Sequence, residues 1–340
     1  MPKKFPKAFS LIELSIVILI VSILLSGALS ASIFSINKSR VKLTEERIST
    51  IYKAMGIFLA KNGYLPCPAA INLNKSSASY GAAAATCSAA AGVASGYWKS
   101  TATASPNLYY GMVPTKTLGL SSDFSEDGFG AKMAYLTFTG FTTAANFSKG
   151  VASVASSTNY ANNAALDRII IKEQPVNESV ITNDAMFAII SYGTNKNAAW
   201  NSNATAQNTV STDAQEIEND ANSLDATTGT ADFDNIIFAS STNSENFDDI
   251  VFYKSRDEMT LDFGLLGLVA CDEASPTQVI NYGGTNYNYN WSASTSVKYG
   301  EAIASSESCP GSFNKGPAKP TKKCGAFGKW EGDVIENCIQ

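Results

Sequence analysis

The sequence predicts an α+β protein: a long N-terminal transmembrane/amphipathic helix packed on an antiparallel β-sheet head, with a disulfide-rich C-terminal module. Three observations predict it. From Phe9 to Ile36 runs a 28-residue segment whose only charge is Glu13. Beyond it an apolar stripe of helical period continues, and strand-like segments then follow one another without intervening helices. Four of the six cysteines, Cys271, Cys309, Cys324 and Cys338, crowd the last 70 residues.

Composition narrows the function. Of 340 residues 45% are hydrophobic and 16% charged, a globular balance. A net charge of -5 and a pI near 5.0 argue against a generalised nucleic-acid-binding surface. Histidine is absent, which removes Ser-His-Asp and Cys-His nucleophile pairs and every imidazole metal site. The expectation is therefore a protein that is not an enzyme. Six cysteines without a C-x-x-C pair favour disulfides in an oxidising compartment. Six reduced, buried thiols are the alternative.

Residues 1–8, Met-Pro-Lys-Lys-Phe-Pro-Lys-Ala, form a basic leader with three lysines and no acid. The segment 9–36 is long enough to cross a bilayer core, which takes about 20 apolar residues. Basic residues ahead of it predict a cytoplasmic leader and a translocated remainder. An ordinary secretory signal, cut near Ala28-Leu29-Ser30, and a plain membrane anchor are competing readings. Neither requires Glu13. A carboxylate on an isolated membrane helix costs about 3 kcal/mol on insertion scales, so it is retained for a partner.

The stretch Lys7-Ala8-Phe9-Ser10-Leu11-Ile12-Glu13-Leu14 resembles the prepilin peptidase recognition segment of the type IV pilin and type II secretion pseudopilin family. The resemblance implies cleavage between Ala8 and Phe9, N-methylation of Phe9, and pairing of Glu13 with the new α-amino group of a neighbouring subunit. The family has glycine where this chain has Ala8. Implied partners are prepilin peptidase, other pilin or pseudopilin subunits and an inner-membrane assembly platform. The implied location is the bacterial inner membrane, with the head in the periplasm, and then a pilus, a pseudopilus or the cell surface.

After Asn37 the helix turns amphipathic. Ile48, Ile51, Tyr52, Met55, Phe58 and Leu59 recur at spacings of three and four, and Asn62-Gly63 is a suitable stop. A helix from Phe9 to about Lys61 is roughly 80 Å long. Its segment 37–62 is expected to lie against a head spanning 63–263. Tyr64-Leu65-Pro66-Cys67-Pro68 forbids continuation. The Ala/Ser/Gly/Thr-rich stretch from Ser76 to Ser105 reads as a surface loop, which a Cys67–Cys87 bond would staple to the helix end. Expected strands are Met133 to Phe141, Arg168 to Lys172, Ala185 to Tyr192, Asn235 to Ser240 and Asp249 to Lys254. The Asn/Thr-rich span Gly193 to Ala231 reads as a long exposed insertion. Asp127-Gly128-Phe129-Gly130 through Tyr135 resembles the Asp-x-Trp-Gly...Tyr element that opens the pseudopilin sheet.

Acidic clusters raise calcium, which takes six to eight oxygen ligands. Asp123, Glu126 and Asp127, in one short loop, are the first candidates, although no EF-hand spacing is present. Asp232, Asp234, Asp248 and Asp249 flank strands and read more simply as solvated turns.

The segment 264–340 contains Cys271, Trp291, Cys309-Pro310-Gly311, Cys324-x3-Gly328-x-Trp330 and Cys338. This order resembles a sushi module. The resemblance implies Cys271–Cys324 and Cys309–Cys338 bonds with Trp330 packed on them, and a surface for proteins or glycans. A covalently pinned loop without a ligand is the alternative. The sequence thus reads as a prepilin-like structural subunit, processed by prepilin peptidase and assembled into a type IV pilus or type II secretion pseudopilus as a minor subunit; a membrane-anchored extracytoplasmic binding or adhesion protein that does not polymerise is the other reading.

Overall fold

The computed structural model describes residues 11–85, 87, 96, 98–100, 108–149, 168–173, 179–203, 205–209, 214–219, 230–231, 236–239, 247–271, 275–282, 285–291, 297–309, 319–325, 328, 330–332 and 338. The long helix is Leu11–Asn62. Its predicted stripe is the buried one: Ile48, Ile51, Met55 and Leu59 are each no more than 3% exposed, and Tyr52 pairs with Phe252 and Phe263. The helix stops as expected. Gly63 is left-handed (φ 76°), and its N–H donates to the Leu59 carbonyl.

The head is not one antiparallel sheet, which corrects the expectation. The main sheet has six strands in the order Ile250–Lys254, Phe187–Ser191, Ala134–Phe138, Leu108–Met112, Trp98–Ser100 and Thr230–Ala231. Its last pair is parallel and the others antiparallel. A second sheet orders Ile236–Ala239, Ile169–Glu173 and Val180–Ala185, and its first pair is parallel. The division falls inside the run read as one strand from Ala185 to Tyr192. Met186 interrupts it and donates its N–H to the Lys254 carbonyl, so the chain leaves one sheet at Ala185 and enters the other at Phe187.

Two further expectations change. Trp98–Ser100 is a sheet strand inside the presumed surface loop. In the presumed exposed insertion, Ala198, Ala199 and Trp200 are buried, and the Trp200 ring lies 5.7 Å from that of Trp98. Low average hydrophobicity hid a short anchor, because one tryptophan can bury 150–250 Å².

The C-terminal segment forms the hairpin Ser275–Tyr282/Thr285–Trp291 and a three-stranded sheet of Ala302–Ala304, Thr321–Cys324 and Trp330–Glu331. Its small core holds Tyr289, Trp291, Cys309 and Cys338. The tryptophan in that core is Trp291, while Trp330 stands opposite Cys324 in its sheet. Alternation explains it: Tyr287, Tyr289 and Trp291 share one face of their strand, and Lys322 Nζ lies 4.3 Å above the Trp291 ring.

Glu307 ties this core to the hairpin by accepting from Asn290 N (2.7 Å), Asn290 Nδ2 (3.0 Å) and Ser305 Oγ (2.9 Å). The Asn290 backbone bond, followed by the Ser306 hydroxyl, lowers the carboxyl pKa from 4.5 to about 2. A pKa depressed on folding adds stability that is full above the unfolded value and lost as pH falls through the folded one. Protection of the hairpin amides from hydrogen exchange is expected to fall between pH 4.5 and 2. In Glu307→Gln this component of the pH dependence disappears.

Candidate functional site: the N-terminal helix and its seat in the head

The first half of the helix stands clear of the head. Leu11, Ile12, Leu14, Ile16, Val17, Ile18, Leu19, Ile20 and Leu24 are all more than half exposed. Its serines are internally satisfied: Ser15 Oγ donates to the Ile12 carbonyl and Ser22 Oγ to that of Ile18. Such back-bonds let a hydroxyl sit in apolar surroundings without an outside partner. Glu13, in the first turn, is the one ionisable side chain from Leu11 to Asn37. Ala8 and Phe9 lie outside the described residues. Among the described residues no helix is long and apolar enough to cross a membrane.

The second half is seated by the loop Glu126–Gly130. Gly128 lies so close to the helix that a Cβ there would fall 2.1 Å from the Arg40 carbonyl oxygen. Gly128 N donates to Thr44 Oγ1 at 2.9 Å, while that hydroxyl donates to the Arg40 carbonyl. Arg47 Nη1 donates to the carbonyls of Glu126 (2.8 Å) and Asp127 (2.9 Å). Near the upper end Tyr52 donates its hydroxyl to Asp262 Oδ2 at 2.7 Å, and Gly56 admits the Phe263 ring. Burial, with the Asp262 hydrogen bond and charge adding to it, pushes the Tyr52 phenol up. At Gly128 loop backbone thus approaches helix backbone, whereas at Gly56 an aromatic ring does.

Asp127 shapes that loop. Its Oδ1 accepts from Phe129 N and Ala131 N, both at 2.9 Å, and its Oδ2 accepts from Ser191 Oγ at 2.7 Å. Burial raises its pKa, and these donors work in the opposite direction. The Asp-Gly-Phe-Gly segment is thus a joint between helix, loop and the strand Phe187–Ser191.

The same geometry bears on the calcium candidates. Asp123 Oδ1 and Glu126 Oε1 flank Lys75 Nζ, at 3.0 and 2.9 Å, so a lysine stands where a cation would. Asp127 is directed inward to its own donors. The three carboxylates are therefore not gathered on one ligand position. Another set is: Glu216, Asp248 and Asp249 each offer an oxygen within 4.8 Å of the others. Sequence reading paired Asp248 with Asp249 but missed Glu216, which lies in the inserted segment and is brought in only by folding.

The disulfides join Cys67 to Cys87, Cys271 to Cys324 and Cys309 to Cys338. The first closes a loop of sequence separation 20 beside the helix end. By loop-closure entropy its removal costs about 3 kcal/mol. Replacing Cys67 and Cys87 by serine is expected to lower the midpoint of thermal unfolding accordingly, read by circular dichroism.

The family model described as the prokaryotic N-terminal methylation motif matches residues 4–29. No match was found among curated proteins or among solved structures. The matched residues take in the leader from Lys4 on, Ala8-Phe9 and Glu13, and run on into the exposed apolar half of the helix. The chain carries the N-terminal signature of type IV pilins and pseudopilins.

Proposed function

We propose that this chain is the precursor of a filament subunit, cut by prepilin peptidase between Ala8 and Phe9 and assembled into a type IV pilus or a type II secretion pseudopilus. One observation carries the reading. The methylation motif at residues 4–29 is continuous with a helix whose apolar half is exposed and whose other half is seated in the head. A subunit of this design holds a membrane by its apolar half before assembly and packs that half against its neighbours afterwards. The head is bulky and carries a cysteine-rich addition, which favours a minor subunit over the main repeating one.

Mass spectrometry of the mature N-terminus tests this. A chain beginning at N-methylated Phe9 supports it. A start after Ser30 would indicate an ordinary secretory signal, and an intact Met1 a plain anchor. The side chain at position 8 gives a graded check: Ala8→Gly is expected to speed cleavage and Ala8→Val to reduce it at least tenfold, read as the precursor-to-mature ratio on a gel.

A further inference from the structure

The element Cys324-x3-Gly328-x-Trp330, on which the sushi resemblance rests, meets the head at its glycine. Opposite it stands Arg256, the first residue of the helix Arg256–Asp262 and only 1% exposed. A reciprocal cap fixes that helix end: Ser255 Oγ accepts from Glu258 N, and Glu258 Oε2 accepts from Ser255 N. With the backbone held, the guanidinium reaches two groups of the head. Its Nε and Nη2 donate to Asp257 Oδ1 at 3.0 and 2.8 Å. Its Nη1 donates at 3.1 Å to the Ser148 carbonyl, near the end of the helix Ala144–Lys149.

The C-terminal segment closes over the same group. A Cβ at Gly328 would lie 3.3 Å from Arg256 Nη2, 3.7 Å from Nη1 and 3.2 Å from the Ala270 carbonyl oxygen. Gly328 is also left-handed (φ 67°), and its N–H donates to the Gly325 carbonyl. Glycine alone meets both demands without strain. Beside this contact the two parts share backbone bonds. Tyr299 N donates to the Val269 carbonyl at 3.0 Å, and Ala270–Cys271 pairs with Val297–Lys298. The Cys271–Cys324 disulfide adds a covalent tie one residue after Ala270.

We propose that Arg256 seats the C-terminal module rigidly on the head, and that glycine at position 328 lets the module's backbone reach that seat. Modules joined by a linker and a small polar contact move relative to one another by default. Here the seat is preformed. Three bonds from the head orient the planar guanidinium, so docking has little side-chain freedom left to remove. The module is then a fixed extension of the head, and its surface keeps one orientation to the long helix. A cysteine-rich appendage that merely hangs from the head would need neither the buried arginine nor the glycine opposite it. The seat lies far in sequence from the N-terminal signature and does not depend on the filament reading.

Hydrogen exchange of the full-length, oxidised protein in detergent, read by mass spectrometry, tests the seat. The readout in the head is the amides of Met259 and Phe263, which donate to the Ser255 and Met259 carbonyls. Gly328→Ala is expected to speed their exchange at least fivefold, although the substitution lies in the C-terminal module. Gly300→Ala is the control. Gly300 is left-handed too (φ 84°), but nothing lies within 4 Å of a Cβ there, so the head helix is expected to exchange like wild type. Arg256→Met keeps a long stem without the guanidinium. It is expected to speed exchange at Cys324 and Gly328 by a similar factor, because coupling between two sites is reciprocal. A head helix left unchanged by Gly328→Ala would overturn the proposal. Equal effects of the two glycine variants on that helix would overturn it as well, since backbone strain alone would then account for them. An Arg256→Met effect confined to the head would do the same.

Discussion

Gly128→Val is expected to unseat the head from the long helix, at a cost of about 4 kcal/mol. Small-to-large changes in a packed site cost roughly 1–3 kcal/mol when neighbouring side chains can give way. Here they cannot. The atoms that a Cβ would meet are Arg40 O, C and Cα, at 2.1, 2.8 and 2.9 Å, all helix backbone. Moving them would break helical hydrogen bonds. Moving the loop instead would part Gly128 N from Thr44 and the Glu126 and Asp127 carbonyls from Arg47. Thermal unfolding of the full chain is expected to shift down by roughly 8–16 °C, at about 2–4 °C per kcal/mol for a head of this size. Gly267→Val is the control. Nothing lies within 4 Å of a Cβ at that position, so little change is expected. Equal shifts in the two variants would refute a specific role for close backbone approach.

That joint marks how far the sequence could be read. The stripe from Ile48 to Leu59 was legible, because a helix covering a sheet repeats its apolar residues every three or four positions. Asp127-Gly128-Phe129-Gly130 was visible as a resembling element, but its contact with Arg40 was not. Local sequence contains no record of which distant backbone comes within reach. The same limit explains the sheets. An apolar run such as Ala185 to Tyr192 does not say that Met186 ends one strand and precedes another. Cross-strand register follows from pairing, not from composition. Among the acidic residues, proximity in sequence favoured Asp123, Glu126 and Asp127. Folding instead gave two of them to Lys75, turned the third inward, and gathered Glu216 with Asp248 and Asp249. Carboxylates converge by topology, so a count along the chain finds only those that share a loop.

Glu13→Leu is expected to leave membrane insertion and leader removal intact while lowering incorporation into filaments at least tenfold. Leucine improves the apolar half for a bilayer, since it replaces a carboxylate disfavoured by about 3 kcal/mol on insertion scales. A loss of assembly would therefore come from the missing charge and not from poor anchoring. Membrane fractionation and the mass of the mature N-terminus measure the retained steps, and the subunit content of sheared filaments measures the lost one. Unchanged incorporation would remove Glu13 from assembly altogether. A second variant separates a charge pair from two independent effects. If the carboxylate pairs with the α-amino group released at Phe9, blocking cleavage with Ala8→Val removes the other half of the same interaction. Two halves of one contact are not additive. The double variant Ala8→Val/Glu13→Leu is then expected to assemble no worse than the more defective single variant. Multiplied defects would mean that processing and the carboxylate act at different steps, and the pairing would have to be given up even if each residue mattered.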